Sequence, residues 1–538
     1  MTIHMPTELP AHLRRYAGAG FWQDRTLADW ARQRADAIPD EPVYLGDPAC
    51  PTYAGLVTDG EALARALLDL GVQPGEVISF QTPNWTEAAV INLAASLGGF
   101  VINPIVHIYR DAEVQQMLAD CGARIFFVAE RFRSIDYAAM VARIAPALPD
   151  LRHILFVRGD GERRLEDLIA HGRKLRRDLP GSRPDAVKLL LYTSGTTGRP
   201  KAVLHSHNTL ARVLEVTVRH LALPGRDVVL MPSPVTHITG YAGALEKPFQ
   251  FDARAVLMEY WDAEAAVELI ERHAVTSTVA ATPFLTELCA AARKAERTLP
   301  SLRSFACGGA AVPAELIHAA NAALAHPCAY RVYGSSEVPQ TTQGFSPATY
   351  PDLAAASDGH AIDYELAIVD DSGQSVAAGQ DGEVLVRGPG MFMGYGDPQQ
   401  TAMAITPDGY FRSGDIGRID ANGALTITGR KKDLIIRGGE NISAKEIEDV
   451  LHAHPAVAEA AVVAMPHVRL GEGVCAYVIL KNAQEDAARL LTSHVLASGL
   501  ARQKCPERFE FIEDFPRTAS GKVRKDLLRE AIRRKIAQ

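Results

Sequence analysis

The chain has 538 residues, too many for one hydrophobic core, so two or more domains are expected. Its 56 Lys and Arg against 64 Asp and Glu leave a formal charge of −8, without the basic excess of a general nucleic-acid binder. The 7 cysteines form no C-x-x-C pair and no His-rich cluster, which argues against a zinc site or a disulfide framework.

The N-terminal MTIHMPTELPAHLRRYAG has no apolar signal core. Residues 58–70 put Leu63, Ala66, Leu67 and Leu70 on one helical face, and a short strand, VISFQ, follows. The longest apolar stretch, residues 88–102, is broken by Asn92, Ser96, Gly98 and Gly99. It reads as a buried helix running into a strand, too short to span a bilayer, so a cytoplasmic location is expected. Residues 112–121 and 123–128 repeat the helix–strand unit. The same alternation continues from strand 227–231 through helix 263–273, strand 277–280 and helix 285–294 to strand 304–307. It predicts parallel sheets covered by helices. From about residue 358, short strands separated by Gly/Asp turns predict a smaller β-rich subdomain. After Gly429 the pattern is mixed again, which predicts domains of residues 1–430 and 431–538.

Seven segments on this scaffold carry chemistry. The first is LLLYTSGTTGRPKAVLHSHN, residues 189–208, an apolar strand that breaks into a loop ending in Lys201. Gly195 and Gly198 let backbone N–H groups crowd round an anion, Thr193, Ser194, Thr196 and Thr197 add hydroxyls, and Lys201 adds charge. That set suits a polyphosphate, although its G-x-x-G-x-x-K spacing is not the Walker A pattern. Next come MPSPVTHITGY with His237, and FACGGAAVP with Gly309 and Ala310. RVYGSSE follows, with Tyr333, Gly334, Ser336 and Glu337 close together. YFRSGDIG sets Asp415 on a tight turn, and GRKKDLIIRGGENI holds Arg430, Lys432, Gly438 and Gly439. The last motif, PRTASGKVRK, sets Lys522 on a Ser-Gly turn. An amphipathic helix follows it, with Leu527, Leu528, Ile532 and Ile536 expected on one side.

In this order, the segments resemble the adenylate-forming superfamily of acyl-CoA synthetases, luciferases and peptide-synthetase adenylation domains. The resemblance runs from Tyr192 to Lys525; the part before the phosphate loop rests on general pattern. It implies an α/β fold: a large N-terminal domain of two helix-covered sheets plus a small β-rich subdomain, and a small mobile α+β C-terminal domain. It also implies roles. Residues 193–201 would hold the ATP phosphates, and Gly309 and Ala310 the adenine and acyl pocket. Tyr333 would stack on adenine beside Gly334, Ser336 (Thr in most of the family) would contact phosphate, and Glu337 would hold Mg²⁺. Asp415 would accept the ribose hydroxyls, with Arg430 near the ribose. Lys432 falls at the hinge, Gly438 and Gly439 beside a coenzyme A channel, and Lys522 at the adenylating lysine. His237 would flank the acyl site, with Ile238, Thr239, Tyr241 and Val338 lining it.

The implied activity is ATP-dependent, AMP-forming ligation of a carboxylic acid to coenzyme A through an acyl-adenylate, with Lys522, Glu337, Lys201 and His237 as the catalytic set. The strings NPIVHIYRDAEV and SPVTHITGY resemble bacterial ligases for alicyclic acids such as cyclohexanecarboxylate, and relatives acting on steroid-derived acids. An alicyclic, steroid-derived or medium-chain hydrophobic acid is therefore expected. The pocket segments carry no Asp or Glu for an amino-acid ammonium, and no Lys or Arg for a second carboxylate. A stand-alone adenylation enzyme loading a carrier protein is the alternative. A non-catalytic nucleotide-binding protein is an alternative of another class, which has no need of Lys522. Homodimerisation is left open.

Overall fold

The computed structural model describes residues 3–193, 200–309, 312–437, 440–518 and 521–537. Two large sheets form the body. The first has seven strands in the order Gly394–Tyr395, Lys201–Ser206, Val187–Thr193, Val101–Pro104, Val77–Gln81, Ile125–Ala129 and His153–Val157. The second has six: Tyr44–Leu45, Ala253–Leu257, Asp227–Met231, Ser277–Ala280, Ser304–Cys307 and Ala329–Arg331, all parallel.

The strands predicted from the helix–strand alternation pair parallel, and the first sheet adds two antiparallel strands at one edge. Lys201–Ser206 returns antiparallel against Val187–Thr193, and Gly394–Tyr395 adds antiparallel beyond it. The two strands that flank residues 194–199 therefore pair as the arms of a hairpin. Lys201 opens the return strand, and the helix His207–Leu221 starts six residues later, capped by Ser206.

Helix Glu87–Gly98 is buried at every position from Ala88 to Gly98, as its lack of a polar face dictates. It stops at Gly99, whose φ of 75° and close approach to Gly181 leave no room for a side chain; an added Cβ would lie 2.7 Å from the Gly181 carbonyl oxygen.

The β-rich subdomain is an antiparallel sheet of Glu365–Val369, Gly382–Arg387, Phe411–Ile419 and Leu425–Arg430. A single 3₁₀ turn, Lys431–Asp433, leads from it into the C-terminal sheet. There Val457–His467 and Gly471–Leu480 alternate between two cores. Val462, Ala464, Val474 and Ala476 face helices Ala444–His452 and Ala487–Ala497. Val463, Cys475 and Tyr477 face helix Lys525–Ala537. That last helix buries Leu528 and Ile532 but exposes Leu527 and Ile536. The expected four-residue apolar side is thus only half used, because a single sheet face admits a narrow stripe.

Candidate active site

One face of the six-stranded sheet is sealed by helices Ala263–His273 and Thr282–Lys294 through Leu230, Phe305 and Cys307. The opposite face borders a cavity of about 780 Å³. Its mouth lies beyond the carboxyl ends of the strands, where ligands of parallel α/β sheets usually bind. Thr193, Lys201, His237, Ile238, Thr239 and Gly309 line it from the body, with Tyr333, Gly334, Ser336 and Glu337. Asp415 comes from the β-rich subdomain, Arg430 and Lys432 from the connection, and Lys522 from the C-terminal domain.

Asp415 follows Gly414, whose φ of 69° turns the strand. The ladder then sets Asp415 opposite Arg430, and the Arg430 Nε lies 2.8 Å from Asp415 Oδ1. The other carboxylate oxygen accepts a 2.6 Å hydrogen bond from the Tyr333 hydroxyl. Burial, with Asp415 adjacent, holds the Tyr333 hydroxyl well above its usual range, so it stays protonated and donates.

Glu337 Oε1 accepts from the Tyr395 hydroxyl at 2.9 Å, and the Lys201 ammonium stands 4.9 Å from the centre of the same ring. His205 fixes the neighbouring turn: its Nε2 donates to the Ser336 carbonyl at 2.7 Å, and its Nδ1 is 3.1 Å from the Thr209 hydroxyl. Burial pushes His205 down to about 4, so it is neutral and its tautomer is set by these two bonds. Tyr395 and His205 were missed in the sequence. Tyr395 lies outside every motif, and His205 sits at the end of the first one, in LHSHN four residues beyond Lys201, past its glycine-rich loop.

Lys522 reaches the cavity across the domain junction. Its amide donates to Thr518 Oγ1 at 3.1 Å. Its side chain lies along Gly309, where an added Cβ would stand 3.4 Å from the Lys522 Cε. Burial and the Arg430 guanidinium lower Lys522 to about 8 against the pull of Asp415 and Glu337. Burial, aided by the Lys522 charge, pushes His237 down to about 4.

Two expected acyl-pocket residues are not at the cavity. Tyr241 is fully buried, with its hydroxyl donating to Asn92 Oδ1 at 2.6 Å in a network with Glu246 and Lys188. The turn Ser335–Val338 folds Val338 into the core and leaves Pro339 and Gln340 facing the cavity. Ser194, Gly195, Thr196, Thr197, Gly198, Ala310, Gly438 and Gly439 lie outside the described residues.

The structure also brings in a wall the motifs did not name. Val213, Leu214 and Leu221 come from helix His207–Leu221, Val229, Val279 and Ala306 from the sheet, and Val332 from just past its last strand. Lys247 joins them from outside the segments expected to line the acyl site, which themselves carry no Lys or Arg.

Residues 31–396 match the AMP-binding enzyme family, and residues 446–522 match the AMP-binding enzyme C-terminal domain. The chain is 36% identical to a medium-chain fatty-acid–CoA ligase of Escherichia coli (strain K12), over 97% of this chain and 93% of that protein. It is 33% identical to an indoleacetate–CoA ligase of Aromatoleum aromaticum, over 95% and 98%. Among solved structures, the ATP-bound MatB of Rhodopseudomonas palustris superposes with a TM-score of 0.83 at 30% identity, covering 94% of this chain and 98% of that one. The anthranilate CoA ligase AuaEII with anthranoyl-AMP gives 0.86 at 25% identity, covering 96% and 98%. With both family models matched and a cavity lined from both regions, the chain belongs to the adenylate-forming superfamily of AMP-binding enzymes, among relatives that are ligases of carboxylic acids.

Proposed function

We propose that this enzyme joins a hydrophobic carboxylic acid to coenzyme A in two steps within one cavity. In the first, a carboxylate oxygen attacks the α-phosphorus of ATP; the bond to pyrophosphate breaks and an acyl-adenylate forms. In the second, the coenzyme A thiol attacks the acyl carbonyl and AMP leaves. The observation that carries this reading is Lys522, delivered from the C-terminal domain to the face of Gly309 in the cavity that also holds Glu337, Tyr333 and Asp415.

The first step brings two anions together, so the site must supply positive charge and fixed geometry. The Lys522 ammonium covers the reacting oxygens. Lys201 and the preceding loop take the β- and γ-phosphates. Asp415, held by Tyr333 and Arg430, accepts the ribose hydroxyls. His237, neutral at working pH, adds shape and no charge. Mg²⁺ is the expected metal: among the described residues there is no cluster of three acidic, His or Cys ligands, and the single Glu337 carboxylate suits an ion whose other ligands are substrate phosphates and water. When bound, it would neutralise phosphate charge.

For the second step, residues 431–538 would rotate as a unit about Lys432, within the turn Lys431–Asp433. Lys522 would withdraw, and a channel beside Gly438 and Gly439 would admit the thiol. The wall of Val213, Leu214, Val279, Ala306 and Val332 supports an alicyclic, steroid-derived or medium-chain acid. No helix among the described residues is long and apolar enough to cross a membrane, in keeping with the cytoplasmic location that goes with this reading.

Pyrophosphate and AMP should be released from ATP with a panel of such acids. Thioester should form only when coenzyme A is added. Thioester formation on a carrier protein, with free coenzyme A inert, would overturn the choice of acceptor. Absence of pyrophosphate release with every acid would overturn the reaction itself.

A further inference from the structure

The cavity does not end in hydrocarbon. It follows the face of the six-stranded sheet from Gly308 and Gly309, beside Lys522, back to the opposite ends of the strands. Ser304 to Gly308 is four residues, or roughly 13 Å of strand. At that far end Lys247, Ser277, Ser304 and Tyr330 all line the space, and each is buried. The backbone puts them in a row, since Ser277 is opposite Ser304 in the ladder.

The bonding of this row is lopsided. The Lys247 ammonium pairs with Asp227, and the Ser277 hydroxyl donates to the same carboxylate at 2.8 Å. Asp227 is thereby satisfied, and the two charges cancel. The Lys247 ammonium has three donors and spends one on this pair. The Ser304 and Tyr330 hydroxyls are 2.7 Å apart; that bond consumes one O–H and leaves the other to give. The row therefore offers donors without net charge, beyond the wall of Val213, Leu214, Val279, Ala306 and Val332. A purely hydrocarbon tail would bury those donors unmet, at a cost that a site built for a hydrogen bond turns into discrimination. A second carboxylate would satisfy them but bring a charge that nothing in the row balances.

We propose that this row reads a neutral oxygen, a ketone or hydroxyl, at the tail of the acid. The preferred substrate is then an oxo- or hydroxy-acid whose polar tail lies about one strand's length from its carboxylate. The proposal rests on the acyl-adenylate reading for the position of the carboxylate.

The test compares three probes: decanoate, the same acid carrying a ketone on its penultimate carbon, and the unbranched ten-carbon dicarboxylate. Pyrophosphate release gives kcat/KM, and calorimetry gives binding of each acid without turnover. The ketone acid should exceed decanoate at least tenfold in both, and the dicarboxylate should trail the ketone acid. In the Ser304→Ala, Tyr330→Phe double variant, and separately in Lys247→Met, the ketone-to-decanoate ratio should fall toward one. Equal or better use of decanoate by the unmodified enzyme, preference for the dicarboxylate, or an unchanged ratio in both variants overturns the proposal. Tail preference in binding without any pyrophosphate release would overturn the reaction and leave the tail assignment standing.

Discussion

The two ends of the cavity are built on different plans. The nucleotide end is made of loops and turns, each supplying two or three polar side chains from adjacent positions: Tyr333 to Glu337, the turn at Asp415, the turn at Lys522. The acyl end is made of side chains spaced two apart on strands, or three and four apart on helix His207–Leu221, gathered from segments a hundred residues distant. The first plan fixes charges where the reaction is invariant. The second lets the wall change residue by residue without disturbing them. Substitutions at one end should therefore be separable from substitutions at the other.

The largest effect is expected at Lys522. Lys522→Ala removes the charge aimed at the reacting oxygens, which typically costs on the order of 3 kcal/mol, a hundredfold or more in rate. Acyl-adenylate formation should fall by at least that factor. Thioester formation from a supplied acyl-adenylate should be spared, as measured by acyl-CoA appearance. Equal loss in both half-reactions would break the division of labour between the two domain positions.

Lys432→Pro should come next. Proline fixes φ near about −65°, so the turn Lys431–Asp433 would lose the freedom a rotation needs. Acyl-adenylate should still form and accumulate, while thioester production drops by some tens-fold. Normal overall turnover would remove Lys432 from the hinge.

This contrast also explains what could be read from the sequence. Lys201, Glu337, Asp415, Arg430 and Lys522 were legible because their own strings are dense in polar and glycine residues, even where their partners are far along the chain, as Tyr333 is from Asp415. The strands at 227–231, 277–280 and 304–307 were legible as short, largely apolar runs alternating with helical patterns, and their limits agree with the structure. The direction of the return strand was not: nothing in KAVLHS states that it returns antiparallel. Tyr241 was misassigned because its neighbours point to a pocket, whereas its hydroxyl is claimed by Asn92, 149 positions away. Lys247 was overlooked for the same reason in reverse. Its string, LEKPFQF, reads as an ordinary amphipathic turn until Asp227 and Ser277 are brought to it.

At the acyl end, Ala306→Leu should sharpen the comparison. Ala306 is buried on the cavity face of its strand, so the larger side chain must occupy substrate space or force its neighbours aside. Overpacking of this kind costs about 1–3 kcal/mol, or roughly fivefold at the lower end. kcat/KM for medium-chain acids should fall by about that factor, with KM for ATP within about twofold of the parent enzyme. A matching rise in KM for ATP would show that the two ends are mechanically coupled.

The smallest effect is in the pH profile. Lys522 titrates at about 8 in the free enzyme, below its ordinary 10.5, because burial and Arg430 disfavour the ammonium. kcat/KM reports the free enzyme, so the adenylation value should halve as pH rises to about 8 and continue to fall above it. Stability should run the other way. With the folded value below the unfolded one, the unfolded chain binds more protons between about 8 and 10.5, so this group's contribution to stability rises with pH across that window. An activity loss there is therefore not unfolding, and a thermal melt at each pH separates the two. His237, held at about 4, should add no limb near its ordinary 6.5. Lys522→Arg keeps its charge throughout this range and should abolish the alkaline limb in whatever activity remains. Persistence of the limb in that variant would assign it to another group.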